Sequence, residues 1–275
     1  MPDTGLTRGR NLVLRTVSGA VLVFGTLISI HQGGWVWITV VLILALLSLA
    51  EYYRLLATQI KLSRGIGYLA ALAVILSSAE GVRPVSIVMI LSLTTYAILM
   101  VEIVRRQTLR ISFAISSMGG TLSGVLFIIV PWTCLILLRN IPTGRLILIA
   151  LFACTWSCDV VAFLVGTKWG RMRLCEKISP RKTWEGFIGG ALGSVLMISL
   201  IIFFQEQPPL PLFLIGLICA FAGQMGDLAA SLIKRETGVK DTGNVIPGHG
   251  GVLDRFDSIL INSLLTYLVF GIILA

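Results

Sequence analysis

The residues able to do chemistry gather between Gly223 and Asp257, in the stretch GQMGDLAASLIKRETGVKDTGNVIPGHGGVLDRFD, where acids, bases, a histidine and clustered glycines meet. Asp227, Asp254 and Asp257 stand in or beside runs otherwise apolar enough to cross a bilayer. An ionisable side chain is expensive there, so each implies a partner or a role. Between them lie Lys234, Arg235, Lys240 and Asp241, then Pro247-Gly248-His249-Gly250-Gly251, whose missing side chains let a ligand approach the backbone. Such a set suits a metal and phosphate site. A hard ion such as Mg²⁺ takes one or two carboxylates plus phosphate oxygens, while Lys and Arg offset the remaining phosphate charge. Singly, each residue has a plainer reading, since cations after a membrane helix signal topology and loop glycines make turns. The grouping is what points to a site.

The elements that must position these residues are membrane helices. The chain is 56% hydrophobic and only 13% charged, with a mean hydropathy of +0.94, which places it among all-α polytopic integral membrane proteins. A span needs about 20 apolar residues. Nine segments qualify, at roughly 11–30, 34–53, 65–80, 84–104, 118–138, 144–166, 185–204, 210–233 and 252–275. The third is short and the first carries Arg15, so eight is the alternative count. With nine spans and a cytoplasmic N-terminus, only Arg83, Arg139 and Arg145 of the 22 Lys and Arg residues fall outside, the asymmetry of the positive-inside rule. The net charge of +9 is then mostly topology, and its scatter over short segments speaks against nucleic-acid binding. The same arrangement puts Gly223 to Asp257 on the cytoplasmic side. The first span continues into a second without a signal-peptide cleavage pattern and reads as an anchor that stays. Cys134, Cys154, Cys158, Cys175 and Cys219 have no metal-ligand spacing and read as small packing residues.

Further acids accompany the central stretch. Asp159, in the sixth span, lies nine residues before Lys168, roughly 13 Å below that helix end, and Asp227 lies roughly 10 Å below Lys234, so the two share a depth. Asp254 and Asp257 share one helical face by their i,i+3 spacing. Four acids can thus converge on one cavity. The connection from Lys168 to Gly186, KWGRMRLCEKISPRKTWEG, is the longest charged loop, and its cations suit anionic headgroups or a triphosphate. Small residues at Gly119, Gly120, Ser123 and Gly124, and again at Gly189, Gly190 and Gly193, suit close helix packing. Pro131 is expected to kink the fifth span. Glu51 and Glu102 read as interfacial partners of Arg54, Arg105 and Arg106, and His31 as an outer-loop residue without a role.

The pattern Ser231-x-x-Lys234-Arg235, Lys240-Asp241, Pro247-Gly-His249-Gly-Gly-x-x-Asp254-Arg255-x-Asp257 resembles the signature of the phosphatidate cytidylyltransferase (CDP-diacylglycerol synthase) family. A second block, Trp156-x-x-Asp159 followed by Ser179-Pro180-Arg181-Lys182-Thr183-Trp184-Glu185-Gly186, resembles the same family. The resemblance implies that CTP and phosphatidate give CDP-diacylglycerol and pyrophosphate, in phospholipid biosynthesis at a bacterial inner membrane, with the site facing the cytoplasm. It assigns catalytic roles to Asp227, Asp254, Lys234, Arg235 and His249. Substrate contacts fall to Ser231, Lys240, Asp241, Gly248, Gly250, Gly251, Lys182, Thr183 and Arg255. Asp227 and Asp254 would hold Mg²⁺, with Asp257 or Asp159 completing the set and a second cation left open. A homodimer is implied by the resemblance alone. One departure stands out, since Ala230 precedes Ser231 where an acid is expected. The chain divides on this reading into residues 1–110, helices without clear chemistry, and residues 111–275, the catalytic region. Two rival classes compete: an ion-coupled transporter, with Asp159 and Asp227 binding the coupling cation, and another membrane lipid phosphotransferase. The one-sided placement of the polar residues and the lack of repeated halves count against transport.

Overall fold

The computed structural model describes residues 5–79, 81, 84–205, 209–248 and 250–273. Arg83 and His249 lie outside the described residues. Helices occupy each of the nine apolar segments: α1 (Gly5–Gln32), α2 (Gly34–Leu56), α3 (Arg64–Ala79), α4 (Pro84–Leu109), α5 (Ala114–Gly124) continuing as α6 (Val130–Asn140), α7 (Gly144–Trp169), α8 (Trp184–Phe203), α9 (Pro209–Glu236) and α10 (Leu253–Tyr267). Among the described residues six helical stretches are long and apolar enough to cross a membrane: Gly34–Leu56, Ser86–Leu109, Ala114–Asn140, Gly144–Trp169, Trp184–Phe203 and Pro209–Glu236. Thr16–Gln32 and Arg64–Ala79 are shorter apolar helices. The protein is an all-α, multi-pass membrane protein.

A small hairpin departs from that description. The charged connection after α7 forms β1 (Arg173–Cys175) and β2 (Ser179–Thr183), paired antiparallel with Arg173 opposite Thr183 and Cys175 opposite Ser179. Between these pairs a single residue on β1, Leu174, stands opposite three on β2, Pro180, Arg181 and Lys182, an irregularity in the register. The hairpin is too short and polar to announce itself by hydrophobic alternation, which is why the sequence reads as a loop. Thr183 closes β2 and caps α8, its Oγ1 accepting the Gly186 N–H at 3.1 Å.

Pro131 acts as its chemistry dictates. Lacking an N–H, it cannot complete the helical ladder, and a π-helical turn at Val125–Ile129 directly precedes α6. The small residues serve packing. A side chain at Gly120 would meet Ile60 and Leu62, and one at Gly124 would meet Tyr53, whose hydroxyl donates to the Thr121 carbonyl at 2.7 Å. Gly189, Gly190 and Gly193 bring α8 against Val165, Cys158 and Val161 of α7. Cys134, Cys154, Cys158 and Cys219 are buried free thiols, as expected of packing residues. Trp37, Trp132 and Phe152 lie in a core shared by α2, α3, α6, α7, α9 and α10. That core fixes the ends of α2, α7, α9 and α10 beside one another.

Candidate functional site

Beside those helix ends opens a cavity of about 810 Å³. Asp159 from α7, Asp227 and Lys234 from α9, Asp254, Arg255 and Asp257 from α10 all line it. Lys182 and Thr183 reach it from β2, and Asp241 from the loop after α9. The convergence of four acids inferred from helix spacing is therefore present. Leu22 and Val23 of α1, with Phe163 of α7, form an apolar part of the same wall.

The acids are held in two different ways. Asp227, about a third exposed, receives Lys182 Nζ on Oδ2 at 2.8 Å and the Ser231 hydroxyl on Oδ1 at 3.2 Å. The Ser231 hydroxyl thus faces back along α9 to Asp227, one turn earlier. Lys182 also donates to the Gln224 carbonyl at 3.3 Å, which pins β2 to α9. Asp254, by contrast, is enclosed. Its Oδ1 takes Lys234 Nζ at 2.9 Å, and its Oδ2 accepts from the Thr242 N–H at 2.8 Å, the Thr242 hydroxyl at 3.0 Å and the Gly251 N–H at 3.1 Å. Asp257 is buried and accepts the N–H of Ser258 at 2.8 Å. Asp227 lies within electrostatic range of both Asp159 and Asp257, with Lys182, Arg255 and Lys234 as offsetting cations.

Among the described residues no three Asp, Glu, His or Cys side chains are arranged to enclose a metal ion. The donor chemistry nevertheless fits a hard cation. Three carboxylates within range of one another at a cavity wall favour a positive guest, and Mg²⁺ characteristically takes few protein ligands and completes its shell with phosphate and water.

A second, smaller pocket of about 600 Å³ adjoins the first through Asp241 and Arg255. Lys240, Asn244, Gly248 and Gly250 line it. Its floor is a tight turn closed by the Ile246 N–H on the Gly250 carbonyl at 3.0 Å, with Gly248 and Gly250 at φ of 76° and 86°, a backbone region that favours glycine. Arg235 points elsewhere, donating to the carbonyls of Ile178 at 3.0 Å and Val239 at 3.3 Å, and so joins the hairpin turn to the end of α9.

Two residues outside the sequence pattern prove central to this architecture. Glu51 and Arg54 of α2 read as an interfacial pair, but the pairing holds only for Glu102, which binds Arg105. Glu51 instead reaches the start of α10. Its Oε1 accepts the Val252 N–H and its Oε2 the Leu253 N–H, each at 2.9 Å, and the Thr242 hydroxyl lies 3.0 Å from Oε2. Arg54 donates to the Thr242 carbonyl at 2.8 Å. From α1, the Ser18 hydroxyl donates to the Pro247 carbonyl at 3.0 Å. The signal for Glu51 was present as an acid inside an apolar helix; its partners, 201 and 202 residues away, were not.

Comparison with known proteins places this geometry in context. The profile of the cytidylyltransferase family matches residues 13–273. A phosphatidate cytidylyltransferase of Rickettsia bellii (strain RML369-C) is 38% identical over 167 residues, covering 58% of this chain and 72% of the relative. One from Bacillus subtilis (strain 168) is 37% identical over 189 residues, 66% of each chain. One from Synechocystis sp. (strain ATCC 27184 / PCC 6803 / Kazusa) is 44% identical over 131 residues, 47% of this chain and 44% of the relative.

Proposed function

The chain belongs to the cytidylyltransferase family, and we propose that it transfers CMP from CTP to phosphatidate, yielding CDP-diacylglycerol and pyrophosphate. The observation that carries this reading is a single cavity bearing both an ionic cluster and an apolar wall, which suits a substrate with a phosphate head and hydrocarbon tails. The names of its relatives point to the same reaction.

In the proposed reaction a phosphate oxygen of phosphatidate attacks the α-phosphorus of CTP. The new P–O bond forms as the bond to the β-phosphate oxygen breaks, and the electron pair leaves with pyrophosphate. A phosphate monoester with a second pKa near 6 is already largely deprotonated at neutral pH, so no strong base is required. Positioning and charge neutralisation then supply most of the acceleration. Lys182 and Lys234 trade their carboxylate partners for phosphate oxygens, which frees Asp227 and Asp254 to face the cavity. Lys240 and the glycine turn hold the nucleotide side in the adjoining pocket, where Arg255 and Asp241 face both compartments. Mg²⁺, held by Asp227 and Asp254 with Asp257 or Asp159 nearby, would supply electrostatic stabilisation of the phosphates. A second cation is compatible with the remaining acids. His249 is assigned a phosphate contact within its glycine turn.

The positive-inside asymmetry supports a cytoplasmic orientation of the site, and the bacterial sources of the relatives support an inner-membrane location. A homodimer completes the proposal, and mass measurement of the detergent-extracted protein tests it. The reaction is tested by incubating purified protein with phosphatidate, Mg²⁺ and CTP labelled at the α-phosphate. Label entering the organic phase with stoichiometric pyrophosphate release is the expected outcome. Folded protein that leaves all label in water refutes the assignment.

A further inference from the structure

We propose that Glu51 is a positioning residue of the nucleotidyl-transfer site, acting from α2 by capping α10 and clamping the loop that carries Lys240 and Asp241. The inference rests on the reaction proposed above. The N-cap residue of α10, Val252, makes no side-chain cap, and Asp254 takes only the Gly251 N–H before it, so the amides of Val252 and Leu253 need an external acceptor. Glu51 supplies it to Val252 and Leu253. A carboxylate is well suited to this place, because the N-terminus of a helix carries partial positive charge. Glu51 is 3% exposed, so its charge is satisfied almost wholly by these donors.

Thr242 connects this cap to the reacting groups. Its hydroxyl stands 3.0 Å from both Glu51 Oε2 and Asp254 Oδ2, its N–H binds Asp254, and its carbonyl receives Arg54. The hydroxyl has one hydrogen to give, so it serves one carboxylate at a time. Were Asp254 drawn from Lys234 toward a cation, Glu51 would be the acceptor to which Thr242 can transfer its bond. Two glycines make the approach possible: a side chain at Gly243 would meet the Glu51 carboxylate and the Arg54 guanidinium, and one at Gly251 would meet Thr242 and Glu51. Neither Glu51 nor Arg54 lines the reaction cavity or the adjoining pocket. Their effect on chemistry is therefore exerted through Thr242, Asp254 and the start of α10.

The test compares Glu51→Gln and Glu51→Ala with the wild-type protein in detergent. Hydrogen exchange is read at the amides of Thr242 and Ile246, which bind Asp254 and Gly250 and are not held by Glu51. Exchange there should quicken about tenfold in Glu51→Ala, the scale of a lost charge-assisted hydrogen bond. In the same variant kcat should fall about tenfold or more, with KM for phosphatidate within about twofold. Glu51→Gln, which keeps one acceptor oxygen, should lie between. If either Glu51 variant fails to fold, Thr242→Val removes the link while leaving the cap, and it should show the same faster exchange at Ile246 and the same fall in kcat. Wild-type exchange at Thr242 and Ile246 overturns the proposal, as does a loosened loop with unchanged kcat. If the wild-type protein itself transfers no label to lipid, the proposed reaction falls, while the exchange comparison still decides whether Glu51 clamps the loop.

Discussion

Replacing Lys234 with methionine separates the two lysine–carboxylate pairs by their energetics. The Lys234–Asp254 pair is enclosed, with side chains 10% and 5% exposed, whereas the Lys182–Asp227 pair is 25% and 33% exposed. Removing one partner of a buried pair leaves an uncompensated charge and costs about 3–5 kcal/mol. Asp254 retains three donors from Thr242 and Gly251, which favours the lower end, about 3 kcal/mol. For the open pair, solvent screening limits the loss on Lys182→Met to about 1 kcal/mol or less. At about 2–4 °C per kcal/mol for a chain of this size, Lys234→Met should lower the unfolding midpoint by roughly 6–12 °C and Lys182→Met by at most about 4 °C. Both should lose transfer activity, because both ammonium groups are assigned to phosphate. Thermal unfolding followed by helical circular dichroism, at one scan rate and in one detergent, reads the difference. Equal shifts, or a larger shift for Lys182→Met, would show that burial does not set the strength of these pairs.

Asp227→Asn should reduce label transfer roughly 100-fold or more, the scale of a lost metal contact, while moving the midpoint little because its pair is open. Turnover near wild type would remove Asp227 from the cation site. Gly251→Ala places a methyl against Thr242 and Glu51 and should destabilise by about 1–3 kcal/mol, read as a lower midpoint. Chelation of divalent cations should abolish transfer and leave helical content unchanged, with activity returning on addition of Mg²⁺. Thr183→Ala removes the cap of α8 and should lower stability by about 1 kcal/mol, measured as a shift in the same unfolding assay.

The sequence was most legible where one physical rule acts locally. Apolar runs of about 20 residues favour helices in lipid, where a helix satisfies every backbone polar group within its own segment, and each of the nine runs forms helix among its described residues. The depth argument for Asp159 and Asp227 and the shared face of Asp254 and Asp257 placed four acids beside one cavity. What escaped depends on contacts distant in sequence. Glu51 meets its amide partners from the opposite end of the chain, and Arg235 turns to a hairpin whose existence no periodicity announced. The Lys182–Asp227 and Lys234–Asp254 pairings were equally hidden, because charge alone does not say which lysine meets which acid.

The cap across 201 residues also dictates an order of biosynthesis. At about 5–20 residues per second, the ribosome makes Glu51 roughly 10–40 s before Val252 and Leu253 exist. During that interval the carboxylate at the end of α2 has neither of the amides that later hold it. Water or lipid headgroups at the membrane surface must solvate it meanwhile. Burial of Glu51 therefore waits for α10, and the nascent chain cannot close its site before that helix arrives.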